Sequence, residues 1–216
     1  MFLLQIIVML IGITSLPIYK YTKNLWISLA IILICIVWVI YLNKKRNIYK
    51  AGISGEKIVG KILEKLDDNY IVYNDIVIGE REKGAQIDHL VLSKFGLFCI
   101  ETKNMSGTIT GTENDNNWTK IKDGKYEKQF YNPCKQSKGH MNAINNLLKR
   151  GGIKGIFSKA IVVFNSEKYI NLKVKTEYTV VIKSDYLLKY ILGQKEDVIN
   201  KGDLKKIEKI IDKNIY

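Results

Sequence analysis

Residues 86–103, QIDHLVLSKFGLFCIETK, decide how this chain is read. Two apolar-rich runs, 86–93 and 97–103, flank Lys94-Phe95-Gly96, a link short enough, and with the glycine needed, to turn one antiparallel strand into the next. Side chains alternate across a strand. Asp88, Leu90 and Leu92 therefore share one face of the first run, and Cys99, Glu101 and Lys103 share one face of the second. Both acids and the lysine can converge. Charges in so apolar a hairpin are costly to bury unless paired or bound to a metal. Two carboxylates suit a hard, oxygen-seeking ion such as Mg2+, which polarises a phosphate and helps generate hydroxide from water. Lys103 can orient that water or balance charge growing on the phosphorane. The competing reading is a surface ion pair on a hairpin.

Working outward, residues 52–66, GISGEKIVGKILEKL, place Ile58, Val59, Ile62, Leu63 and Leu66 at helical spacing, with Ser54 as a candidate cap. Glu56 lies three before Val59 and seven before Leu63, so it belongs to the apolar stripe. It is read either as part of a site or as a first-turn acid answering the helix dipole. Residues 70–78, YIVYNDIVI, form a strand leading into the hairpin. Beyond Lys103, short strands are expected at 108–110, 118–121 and 126–130, the last two about an Asp123-Gly124 turn and read as a peripheral hairpin with exposed aromatics and lysines, although a Trp beside a turn is more often packing. Asn132-Pro133 opens a helix over 134–149 that Gly151-Gly152 ends, with Gln136 and His140 on one face. Strands at 159–165 and 178–182 and helices at 185–192 and 203–213 complete an α/β chain, a mixed sheet flanked by helices.

The first 42 residues differ in kind. They hold only Lys20 and Lys23 as charges, so the other 32 of 34 basic residues and all 21 acidic ones follow Leu42. Residues 25–42, LWISLAIILICIVWVIYL, are long enough for a helix to cross about 30 Å of hydrocarbon. Residues 1–16 are also apolar and lack a basic start or a small-x-small cleavage site, so two spans joined by 17–24 are expected rather than a signal peptide. Residues 1–46 thus read as a membrane anchor and 47–216 as the working domain. Lys44, Lys45, Arg46 and Lys50 outnumber Lys20 and Lys23, which places that domain in the cytoplasm of a multi-pass protein of the cell membrane. The net charge of +13 favours nucleic acid or an anionic membrane surface as partner, or else is a solvated basic exterior. Three scattered cysteines and two histidines give no disulfide framework or zinc spacing, and His89, next to Asp88, points to the opposite sheet face.

The stretches GEKIVGKIL, QIDHLVLSKFGLFCIETKNMSGTITG, Trp118 and NPCKQSKGH, in this order over residues 51–150, resemble the nuclease-related domain or NERD family, whose pattern is similar to that of PD-(D/E)xK restriction-endonuclease-like nucleases. The resemblance implies that Asp88, Glu101 and the carbonyl of Thr102 hold Mg2+ or Mn2+, and that Lys103 serves the attacking water. It further implies that Glu56 completes the acidic site and that Gln136 approaches it from the later helix. Ile87 stands where the broader nuclease pattern often has proline. The function so implied is a membrane-anchored, metal-dependent nuclease acting on DNA. The alternative is a non-catalytic nucleic-acid-binding or sensing module at the membrane.

Overall fold

The computed structural model of the chain describes residues 20, 25–79, 84–122, 124, 126–166 and 168–215. Contacts divide the chain into two compact units, Met1–Ala51 and Gly52–Tyr216. The first helix, α1 (Leu25–Leu63), is continuous. Two helices with a cap at Ser54 were expected from the sequence, yet residues 43–51, NKKRNIYKA, contain neither Pro nor Gly, so nothing breaks the run and Ser54 lies inside it. Among the described residues one helix is long and apolar enough to cross a membrane. Its first part leaves Trp26, Leu33, Ile34 and Trp38 exposed. The apolar run 1–16, expected as a first span, lies outside the described residues.

In the second unit β1 (Tyr70–Ile78), β2 (Ala85–Ser93) and β3 (Gly96–Asn104) form an antiparallel meander. Leu92 faces Leu97 and Ser93 faces Gly96, so the turn is Lys94-Phe95 alone and the glycine begins the next strand. Gly96 has φ 132°, and a Cβ there would lie 2.6 Å from the Phe157 ring, which bars other residues on two counts.

Three further strands follow, β4 (Gly107–Thr112), β5 (Asn117–Lys122) and β6 (Tyr126–Tyr131), and then α2 (Pro133–Arg150). The chain ends with β7 (Ser158–Asn165), β8 (Ile170–Lys175), β9 (Val180–Lys183), α3 (Ser184–Leu192) and α4 (Lys201–Asn214). Two mixed sheets result, ordered β1-β2-β3-β7-β9 and β6-β5-β4-β8, in which β3, β7 and β9 run parallel, as do β4 and β8.

The larger sheet is covered on both faces. Leu90, Leu92, Leu97 and Cys99 pack beneath Ile144 and Leu148 of α2 and Ile207 and Ile211 of α4. Val91, Phe98, Ile100, Ile161 and Val163 pack beneath Val59 and Leu63 of α1 and Leu187 and Ile191 of α3. Each such side chain contributes about 1.5–3 kcal/mol of transfer free energy, which explains why β7 reads as an unbroken apolar run. Of the two readings of Trp118, exposed on a peripheral hairpin or packed, the structure shows packing, with the side chain fully buried. It stacks on Phe164 of β7 with centroids 6.3 Å apart and donates its indole N–H to the Thr112 carbonyl at 2.8 Å. The smaller sheet is thus fastened to the larger through an aromatic plug.

Candidate functional site

The site forms where the meander stops being regular. Pairing of β2 with β3 runs from Ser93↔Gly96 to His89↔Ile100 and ends there. One residue further on, the Thr102 N–H donates to Asp88 Oδ2 at 2.7 Å, so a side chain replaces the backbone acceptor of the ladder. On the other side, Asp75 falls between the pairs Asn74↔His89 and Ile76↔Ile87 but makes no pair itself. Its φ of 51° makes it the one non-glycine residue with positive φ among the described residues, a conformation aspartate tolerates. Side-chain alternation slips here: Ile71 and Tyr73, and then Ile76 and Ile78, all serve the α2 side of the sheet. The backbone thereby opens around Asp88.

Glu101 is 2% exposed and accepts Lys103 Nζ at 2.6 Å on Oε1. The same ammonium donates to Gln136 Oε1 at 3.0 Å. Gln136 is held by the way α2 begins. Asn132 caps the helix by accepting from the Cys134 N–H at 2.9 Å, and its amide donates to the carbonyls of Thr112, Glu113 and Asp115. Ser137 donates to the carbonyls of Cys99 and Ile161, within 3.2 and 3.3 Å, pinning the first turn across β3 and β7. One turn later His140 Nδ1 stands 3.4 Å from Glu101 Oε2, and neither atom has a hydrogen-bond partner.

Glu56 comes from α1. A Cβ on the preceding Gly55 would sit 2.7 Å from Asn104 Cβ, so glycine is what lets the helix lie against the end of β3. Burial, then the charges of Asp88 and Asp75, raise the Glu56 carboxyl above its ordinary value against the pull of Lys103. Burial also raises Asp88, opposed by the Thr102 N–H and Lys103. Glu101 is pushed up to about 7, by burial first and then by Asp88 and Glu56, despite its ion pair with Lys103. Burial followed by the Lys103 charge lowers His140, favouring its neutral form.

Lys103 therefore contacts both Glu101 and Gln136, Asp88 contacts the backbone of Thr102, which lies between Glu101 and Lys103 in sequence, and Asp88 and Glu56 lie within electrostatic reach of the ion pair. His89 is on the opposite face, as alternation requires, buried with Nδ1 2.7 Å from Asn74 Oδ1. Sequence reasoning assigns no role to His140, although its place four residues after Gln136 is a usable signal, nor to Asp75, which carries none in YIVYNDIVI.

Among the described residues no three His, Cys, Asp or Glu side chains gather closely enough to cage an ion. Mg2+ needs less than that, because it keeps several waters and takes one or two carboxylates. Asp88 and Glu101 supply that oxygen set, and the buried Glu101 Oε2 is an acceptor lacking a donor. The residues present fit the ion.

A family model described as the nuclease-related domain matches residues 51–165. An uncharacterised protein of Bacillus anthracis is 38% identical over 125 residues, spanning 55% of this chain and 58% of that protein. The chain thus matches somewhat over half of this relative's length. No solved structure matches.

Proposed function

From the premise that the chain belongs to the nuclease-related domain family, which resembles the restriction-endonuclease-like nucleases, we propose that it is a membrane-anchored, divalent-metal-dependent nuclease hydrolysing DNA phosphodiester bonds. The observation that carries this reading is the Lys103 ammonium, held between Glu101 and Gln136 at 2.6 and 3.0 Å beside Asp88, where the β2–β3 ladder has opened.

Asp88, Glu101 and the Thr102 carbonyl would hold Mg2+ or Mn2+, which supplies charge neutralisation at the phosphate and activation of the attacking water. Lys103 has a compact charge with three donors. Two are spent on Glu101 and Gln136, and the remaining one can hold that water in line with the phosphorus or meet the charge that grows on the phosphate oxygens. Gln136 keeps the ammonium off a purely ionic pairing, and Glu56 closes the acidic end from α1. For the anchor, attachment to the cell membrane with the domain in the cytoplasm is supported by the exposed apolar surface of α1, the one long apolar helix among the described residues, and by the excess of cations after it.

The test incubates the detergent-solubilised full chain with plasmid and linear DNA and Mg2+ or Mn2+. Cleavage is expected, falling by ~10²-fold or more in both Asp88→Ala and Glu101→Ala, and in Lys103→Ala with metal binding retained. Cleavage that is absent, or that survives both carboxylate substitutions, refutes the proposal. DNA binding without product at any metal concentration fits the non-catalytic binding module instead.

A further inference from the structure

Three adjoining clefts follow the C-terminal half of α2. The first runs from Gly79 and Ala143 to Lys149 and Arg150. A second continues from Gly79 and Arg150 to Lys206, Lys209 and Lys213 of α4. The third shares Asn146 and Lys149 with the first and reaches Lys154. They make one groove whose near end, at Ala143, is a single helical turn from His140. Among the described residues, those lining it include six cations and no Asp or Glu. The chain as a whole has 21 acidic residues.

The cations are exposed, and none forms an ion pair among the described residues. Lys149 and Arg150 alone are explained by the negative end of the α2 dipole. Lys213 likewise ends α4, but Lys206 and Lys209 lie before its last turn, and that helix sorts its charges. Asp212 accepts the Tyr73 hydroxyl at 2.9 Å and Glu208 acts on the same tyrosine, while Lys206, Lys209 and Lys213 turn to the groove. Unpaired like charges held along a concave wall repel one another and focus a positive field, which a polyanion relieves.

We infer that this groove carries the sugar-phosphate backbone of the nucleic-acid substrate away from the reacting phosphate, an inference that rests on the nuclease reading for its polarity but not for the binding itself. From His140 to Arg150 the helix advances about 15 Å, the length of about four or five base-pair steps measured along a duplex axis at about 3.4 Å each. Continuity with the carboxylate site favours a nucleic-acid strand over a lipid surface, as does the absence of any aromatic side chain among the described lining residues.

The experiment measures binding of a fluorescent duplex and a single strand to the full chain in EDTA, so that turnover plays no part, over a range of salt concentrations. Lys206→Gln/Lys209→Gln/Lys213→Gln should lower the slope of log K against log salt by about 2–3, at about 0.7–0.9 per contact. It should also weaken binding tenfold or more at about 100 mM salt. Lys61→Gln/Lys65→Gln/Lys189→Gln removes the same charge from α1, the turn after it and α3 and should leave the slope unchanged. Thermal unfolding checks that both variants fold. Equal slopes in the wild type and the α4 variant overturn the inference, as does an equal drop in the control. It is also overturned if the α4 variant loses binding to phosphatidylserine vesicles while keeping its DNA slope. A lowered slope in a chain that never cleaves DNA leaves the groove standing and removes only the nuclease reading.

Discussion

Asp88 has two duties that substitution can separate. It terminates the β2–β3 ladder by accepting the Thr102 N–H, and it is one of the carboxylates assigned to the metal. Asp88→Ala should remove both, leaving a partly buried N–H unpaired at a cost of about 1–3 kcal/mol, read as a lowered unfolding midpoint. Asp88→Asn retains an acceptor oxygen and should unfold close to the wild type while cleaving DNA ~10²-fold more slowly. Equal losses of stability in both variants would deny the side chain its place in the ladder.

Glu113 offers a second test at this scale. It is 7% exposed and accepts the N–H groups of Glu177, Tyr178 and Thr179 and the Thr179 hydroxyl, with Lys138 Nζ at 2.8 Å. Burial alone would raise this carboxyl, but the Lys138 ammonium and the converging donors outweigh it and hold Glu113 down to about 2. A depressed folded-state value stabilises the fold above the unfolded value of 4.5, and that stabilisation is lost as pH falls from 4.5 through 2. Wild type should therefore exceed Glu113→Gln by about 1–3 kcal/mol near neutrality. Urea unfolding should show the gap closing over that acid window.

Alternation within the hairpin suggests that Asp88, Glu101 and Lys103 converge, but it does not show the slip around Asp88, where Ile87 and Leu90 both face α2. Glu113 was not legible in the sequence, since the backbone donors it accepts lie 64 to 66 residues away.

At the scale of elements, the strands at 70–78 and 159–165 and the helices after Pro133 and Asp203 were readable from periodicity and caps. β8 was missed although Ile170, Leu172 and Val174 alternate, because the run is only six residues long and interleaved with Asn and Lys. The sequence left Trp118 between an exposed and a packed reading, because its surroundings come from Phe164 of β7 and Gly111, not from its own strand. Gly111 has φ 157°, and a Cβ there would lie 2.3 Å from Trp118 Cδ1. At Gly107, with φ 105°, the added atom would meet the Ile121 carbonyl oxygen at 2.5 Å. Both glycines belong to the GTITG stretch, so its spacing is a packing demand. Alanine at either should cost about 1–3 kcal/mol or more, with changed near-ultraviolet circular dichroism at Gly111→Ala as the indole is displaced. Gly139, inside α2 with nothing within 4 Å, should behave oppositely, and Gly139→Ala should gain about 0.5–1 kcal/mol. Destabilisation at Gly139→Ala, or none at Gly107→Ala, would contradict this packing.

Across the whole molecule, the matched segment 51–165 and the folded unit do not coincide. The match holds every carboxylate assigned to the site, yet β4 needs β8 as its parallel neighbour, β7 needs β9, and the core under α2 is closed by Ile207 and Ile211 of α4. A chain stopped at residue 165 should thus show no cooperative thermal transition, whereas the full chain should. A sharp transition in the shortened chain would mean that these later elements are dispensable.

Three of the four groups that 177–179 offer Glu113 are main-chain N–H groups, which every amino acid except proline supplies. A clasp of that kind writes almost nothing into the alphabet of side chains. Descendants of a common ancestor can drift through these positions without loosening it, so kinship between such chains can fade from the letters while the architecture that supports the acids persists.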